Sequence, residues 1–173
     1  GLGSASLVLP SGHVVGALVA VNALGSAIVG DGPHFWAAPF EMHGEFGDLG
    51  PASAYPPPGM PQVKGHSAQN TTIGIVATDA ELTQAQCTRM ATAAHDGIAR
   101  ALIPAHTPMD GDLMFAAATG VKPLADPMPD TLALGHAAAI CVARAIARGI
   151  YAATPSDTDS KRCWASLSQT RFT

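Results

Sequence analysis

QNTTIGIVATD, residues 69–79, is the stretch that decides how this chain reads. An amide and two adjacent threonines run straight into a β-branched, apolar segment, so residues 71–77 read as a strand. Roughly forty residues rich in Pro, Gly and lone aromatics precede it, with Pro56-Pro57-Pro58-Gly59 at their centre. That texture, from about Asp31 to Asn70, reads as a long irregular loop or a flexible linker. Two hydroxyls at the mouth of a buried strand have an ordinary explanation, because Thr is a good strand former. Asn70-Thr71-Thr72 is also formally a glycosylation acceptor, but nothing else here implies secretion. A sharper explanation is chemical. The Thr71 hydroxyl can attack the carbonyl of Asn70, and hydrolysis of the resulting ester frees an α-amino group on Thr71. That amine has an ordinary pKa of about 7.7–8.0. It can therefore act as base for its own hydroxyl, so nucleophile and base come from one residue.

Outward from the centre, residues 1–25 read as two strands around a turn at Ser11-Gly12. The near-continuous apolar run Val14–Val21 suggests a strand buried on both faces. Downstream, Thr83-Gln84-Ala85-Gln86 is a capping-box pattern and starts a helix near Gln84. Leu82, Cys87, Met90, Ala94, Ile98 and Leu102 fall on one side of it, and Pro104 ends it. His106–Asp112 reads as a turn, and residues 113–119 as a further strand. Residues 121–129 form a Pro-rich connection, and Asp130 is placed to cap a second helix running to about Ala153. Residues 154–173 are polar and poorly patterned, a loosely held tail. Strands followed by helices predict an α/β architecture in layers, with the 173 residues forming one domain.

Composition narrows the function. Hydrophobic residues are 47% of the chain and charged residues 13%, so much surface is expected to be covered by other protein. The net charge is −4 and Lys and Arg form no cluster, which argues against a nucleic-acid partner. No uninterrupted apolar run reaches the roughly 18 residues of a membrane span. The odd count of cysteines, Cys87, Cys141 and Cys163, lacks metal or disulfide spacing. Buried free thiols fit a cytoplasmic, reducing compartment. Gly1 opens the sequence without an initiator Met, and the chain reads as a segment of a longer protein.

No GxSxG, HExxH or phosphate-loop pattern is present. GLGSAS has a glycine pair without full dinucleotide spacing, and reads rather as a tight turn near an active site. Asp110-Gly111-Asp112 could be half of a metal loop. The following Leu, Met, Phe and Ala supply no further ligands, so a polar turn is the better reading, with no metal or cofactor implied. Seven histidines are scattered, and His106 is singled out because it adjoins this turn.

Together, NTTIGIVATDAELT, AAHDGIARALIPAHTPMDGDLMFAAATG and GLGSAS…GALVAVN resemble the DmpA-type self-processing peptidases. That group holds L-aminopeptidase/D-esterases, β-peptidyl aminopeptidases and nylon-oligomer hydrolases. The likeness runs from Gly1 to about Ala153. It implies a four-layer αββα sandwich like that of N-terminal-nucleophile hydrolases, with this chain its C-terminal part and the N-terminal half absent. It implies a cut between Asn70 and Thr71, residues 1–70 being the end of the α chain and 71–173 the β chain. Thr71 is then the nucleophile, on the Thr branch of the group. Asn22 matches the oxyanion asparagine, and Asp110 and Asp112 match the acidic or hydroxyl pair beside the nucleophile. The family's usual assembly is a homo-oligomer, commonly a tetramer of αβ pairs. The implied substrates are N-terminal amino acid amides or short peptides, with ω-amino acid oligomers second. The family often places a Lys or Tyr near the GLGSAS segment, whereas the lysines here are Lys64, Lys122 and Lys161. An acyl transferase of similar fold and an unprocessed, non-enzymatic binding protein are the competing readings.

Overall fold

The structure is a computed structural model and describes residues 1–57, 59, 63, 70–157 and 162–169. Lys64, His66, Lys161 and most of the stretch just before Asn70 lie outside the described residues. The elements in order are β1 (Leu2–Val8), β2 (Val14–Asn22), a 3-10 turn (Ala38–Phe40), β3 (Thr71–Ala80), α1 (Gln84–Ala101), β4 (Leu113–Lys122), α2 (Pro127–Tyr151) and α3 (Trp164–Gln169). The strands form one sheet in chain order. β1 pairs antiparallel with β2, β2 antiparallel with β3, and β3 parallel with β4 across the α1 crossover.

The alternation of side chains along β3 sorts the molecule into layers. Thr72, Gly74, Val76 and Thr78 are buried under the helices, whereas Ile73 and Ile75 point the other way and are exposed. Leu18, Leu113 and Phe115 extend that open face onto the neighbouring strands. The expected burial of β2 on both faces is therefore met on one face only. Val15, Val19 and Ala17 are buried, but Leu18 is 47% exposed because this chain puts its helices on one side of the sheet. Two of the four expected layers are present, one sheet and its helical cover.

Helix α1 starts as its sequence dictates. Thr83 accepts the Gln86 N–H, and the Gln86 side chain reaches back to the Thr83 N–H at 2.8 Å. Its buried side is Met90, Ala94, Gly97, Ile98 and Ala101. A Cβ at Gly97 would lie 2.3 Å from the Ala139 carbonyl oxygen, so the two helices cross at backbone distance there. α2 begins three residues before the expected cap. Asp126 is its N-cap and Pro127 its first residue, while the Asp130 carboxylate reaches back to the N–H groups of Ala125 and Asp126 at 2.8 and 3.0 Å. By length and mean hydropathy α2 could cross a membrane, yet 67% of its most apolar window is buried inside the protein. It also carries Arg144, whose guanidinium pairs with Glu45 at 2.5 and 3.0 Å and donates to the Ser6 carbonyl. α2 is the core helix.

The GLGSAS glycines are not a turn. Gly3 sits in β1 and Gly1 just before it; a Cβ at Gly3 would fall 2.0 Å from the Ala145 carbonyl oxygen and one at Gly1 2.2 Å from the Gly149 carbonyl oxygen, so they let the chain lie against α2. The part of the expected linker from residue 31 to 57 is anchored. Phe35 and Phe46 are buried edge to face, and the Glu41 carboxylate accepts the N–H groups of Phe46 and Asp48. The described tail segment around Trp164 is held as well. Trp164 of α3 stacks on Phe35, packs on Tyr151 and donates its indole N–H to the Pro33 carbonyl at 2.9 Å. Isolated aromatics separated by more than a hundred residues give no periodic signal, which is why neither segment looked ordered in sequence.

Candidate active site

The ends of three strands meet around the Asn70–Thr71 bond. Asn22 is the last residue of β2 and is the register partner of Thr71, the first residue of β3. Both have the parity of the open face, shared with Ala20 and Ile73. Asn70 forms an isolated parallel bridge with Asp110, just before β4. The sequence thus separates Asn22, Thr71 and Asp110 widely, and the sheet brings them to one edge.

The Thr71 hydroxyl donates to the Asn70 carbonyl oxygen at 2.6 Å, lying against the carbonyl it would attack. The same oxygen accepts the Gly111 backbone N–H at 2.9 Å. Asp110 and Asp112 flank this point, each tied to backbone. The Asp110 carboxylate accepts the Leu24 N–H at 3.2 Å, the Thr107 N–H at 3.1 Å and the Thr107 hydroxyl at 2.7 Å. Asp112 accepts the Thr72 N–H at 3.0 Å through one oxygen, and through the other meets the His106 N–H at 3.3 Å and the His106 ring Nδ1 at 3.0 Å. Its side chain is 5% exposed. Both carboxylates thus serve as acceptors for backbone N–H groups, and Asp110 also for a hydroxyl. Among the described residues, no group of three or more His, Cys, Asp or Glu could hold a metal ion.

His106 is brought to the site, as its neighbourhood in sequence hinted. It has a φ of 54°, and its ring Nε2 lies 3.3 Å from the His95 carbonyl. Burial, followed by the adjacent charge of His106, holds the His95 imidazole below its ordinary pKa. His13 is buried far from the site, bonded to Ser11 and the Pro123 carbonyl. Lys122 sits at the opposite end of β3 and β4, 2.8 Å from Asp79, and cannot serve Thr71. Thr72 and Gly111 escaped the sequence reading. The glycine between two aspartates was the available signal for the second. A cavity of about 590 Å³ opens beside Asn22, lined also by Leu24, Ser26, Leu102 and Trp164. Thr71 is outside its wall.

With this geometry in view, likeness to known proteins is informative. The model of peptidase family S58 matches residues 1–163. The chain belongs to peptidase family S58. An uncharacterised aminopeptidase of Mycobacterium tuberculosis is 43% identical over 169 residues, which cover 90% of this chain and 48% of that protein. One from Mycobacterium leprae is 43% identical over 165 residues, 88% of this chain and 44% of its own length. Among solved structures, a Burkholderia β-aminopeptidase superposes with a TM-score of 0.54 at 28% identity, over 87% of this chain and 41% of that one. The L-aminopeptidase D-Ala-esterase/amidase of Ochrobactrum anthropi, described as a variant of the Ntn-hydrolase fold, gives 0.54 at 27% identity, over 88% and 40%. The S58 chain therefore has the expected fold class, and spans about half or less of the length of these relatives.

Proposed function

We propose that this S58 chain is the nucleophile-bearing part of an aminopeptidase-like amide hydrolase that cuts its own Asn70–Thr71 bond. The observation that carries the reading is the Thr71 hydroxyl held 2.6 Å from the Asn70 carbonyl oxygen at the meeting point of β2, β3 and the Asp-Gly-Asp turn. After the cut, the freed Thr71 amine takes the hydroxyl proton, and Thr71 Oγ1 attacks the carbonyl of a substrate amide. The Asn22 amide, across the register from Thr71, stabilises the oxyanion. The leaving amine departs with a proton, and water resolves the acyl-enzyme. Asp110 and Asp112 provide negative charge beside the new α-ammonium group and suit a substrate with a free amine. Short peptides and N-terminal amino acid amides are the proposed substrates, in keeping with relatives named aminopeptidases. The open face bearing Leu18, Ile73, Ile75 and Phe115 is the surface onto which the rest of the αββα sandwich would pack. Such αβ pairs are proposed to assemble further as a homo-oligomer.

Intact mass under denaturing conditions tests the reading. The wild-type protein should separate into two pieces meeting at Asn70/Thr71, and Thr71→Ala should stay whole. A wild type that remains one chain refutes self-cleavage and favours a binding role.

A further inference from the structure

The residue between the two aspartates has a role of its own. We propose that the backbone N–H of Gly111 is the oxyanion donor of the self-cleavage step, acting on the scissile carbonyl of Asn70; this rests on the self-cleavage reading above. Asn22 is then the donor for later substrates, and the two reactions use different groups.

The chemistry sets the requirement. Thr71 Oγ1 forms a bond to the Asn70 carbonyl carbon, and an electron pair moves onto the Asn70 oxygen. The carbon–nitrogen bond breaks, and the hydroxyl proton ends on the departing Thr71 nitrogen. Water then adds to the ester and the carbon–Oγ1 bond breaks. This leaves a carboxylate on Asn70 and a free hydroxyl and amine on Thr71. The Asn70 oxygen carries negative charge in both tetrahedral intermediates. A donor already aimed at that oxygen costs no reorganisation when the charge appears.

Gly111 meets this requirement in three ways. Its N–H lies 2.9 Å from the Asn70 oxygen. Its peptide is clamped on both sides, by Asp110 on Leu24 and Thr107 and by Asp112 on Thr72 and His106, so the donor cannot swing away. Its lack of a side chain leaves room for the nucleophile. A Cβ at position 111 would stand 3.0 Å from Thr71 Oγ1 and 3.8 Å from the Asn70 oxygen. Gly111 is not among the glycines with positive φ, so conformational freedom is not the reason for glycine here. The reason is space beside Thr71 Oγ1. The same clamp gives the two aspartates a part in self-cleavage that needs no proton transfer.

The test replaces Gly111 by glycolic acid in the full-length protein, turning the N–H into an ester oxygen with the shape kept. The readout is the rate at which the two pieces appear by mass. Cleavage should slow by about 10²–10³-fold, with the unfolding transition close to that of wild type. Equal cleavage rates for ester and wild type would overturn the assignment while leaving self-cleavage intact. A wild type that never cleaves would sink self-cleavage itself. If the ester protein does not fold, infrared spectroscopy of Thr71→Ala carrying a ¹³C carbonyl at Asn70 decides the matter. With the hydroxyl gone, the band should still lie at the frequency of a hydrogen-bonded carbonyl, and a band typical of a carbonyl without a donor overturns the proposal.

Discussion

Asp112 should matter to stability before it matters to any reaction, and the structure allows the size of the effect to be worked out. Consider Asp112→Ala in a Thr71→Ala background, so that the chain stays uncut. Thr72 is fully buried, and its N–H gives its hydrogen to Asp112 Oδ1 at 3.0 Å. Deleting the acceptor strands a buried amide, which costs about 1–3 kcal/mol. The second oxygen holds His106, whose side chain is 36% exposed, so water replaces most of that contact. Its loss adds at most about 0.5–1 kcal/mol. The sum is roughly 1–4 kcal/mol. Asp112→Asn is the control. It keeps a carbonyl oxygen for the Thr72 N–H but turns an NH₂ toward the His106 N–H, so its cost should be about 1 kcal/mol. Urea unfolding of the full-length protein near neutral pH, followed by circular dichroism, measures both. If Asp112→Ala lies within about 0.5 kcal/mol of its parent, the Thr72 bond is not holding the strand end. If Asn costs as much as Ala, the charge and not the acceptor is what holds the strand end.

Two further outcomes follow from the titrating groups. His95 is held below its ordinary 6.5 by burial and then by His106, so the folded state prefers the neutral ring. Its contribution to stability is complete above pH 6.5 and is lost as the pH falls from there toward the lower folded-state pKa. His95→Gln should flatten the pH dependence of unfolding in that acid window, and an unchanged slope would remove His95 as its source. Cys141 is pushed up to about 11, mainly by burial. In the native protein at about pH 8 it should resist iodoacetamide while the half-buried Cys87 and Cys163 react. Labelling of Cys141 at the same rate as the other two would show that the core around α2 opens readily.

Much of the candidate site could be read without coordinates, because its parts are local. The Asn-Thr-Thr entrance and the Asp-Gly-Asp turn are short patterns visible in the residues themselves, whereas Asn22 and the roles of Asp110 and Asp112 came from the family resemblance. The elements that carry them are local too. Runs of β-branched and apolar residues mark β2 and β3, and a capping box marks α1. The readings that failed depended on partners distant in sequence. The segment around Phe35 and Phe46 looked like a linker because its anchors, α2, Tyr151 and Trp164, lie far along the chain. The Gly1–Gly3 stretch looked like a turn because the tight approach of α2, which forbids a Cβ, is visible only when both backbones are placed.

What the sequence by itself determined, then, is which chemical groups exist and which elements present them, since propensity and periodicity act over a few residues. Only the tertiary structure decided their relations. β2–β3 pairing sets Asn22 opposite Thr71, and the parallel β3–β4 register carries the Asp-Gly-Asp turn to the Asn70 carbonyl. Backbone hydrogen bonds between strands fix that register to the residue, and a slip of one position would turn Thr71 from the open face into the core.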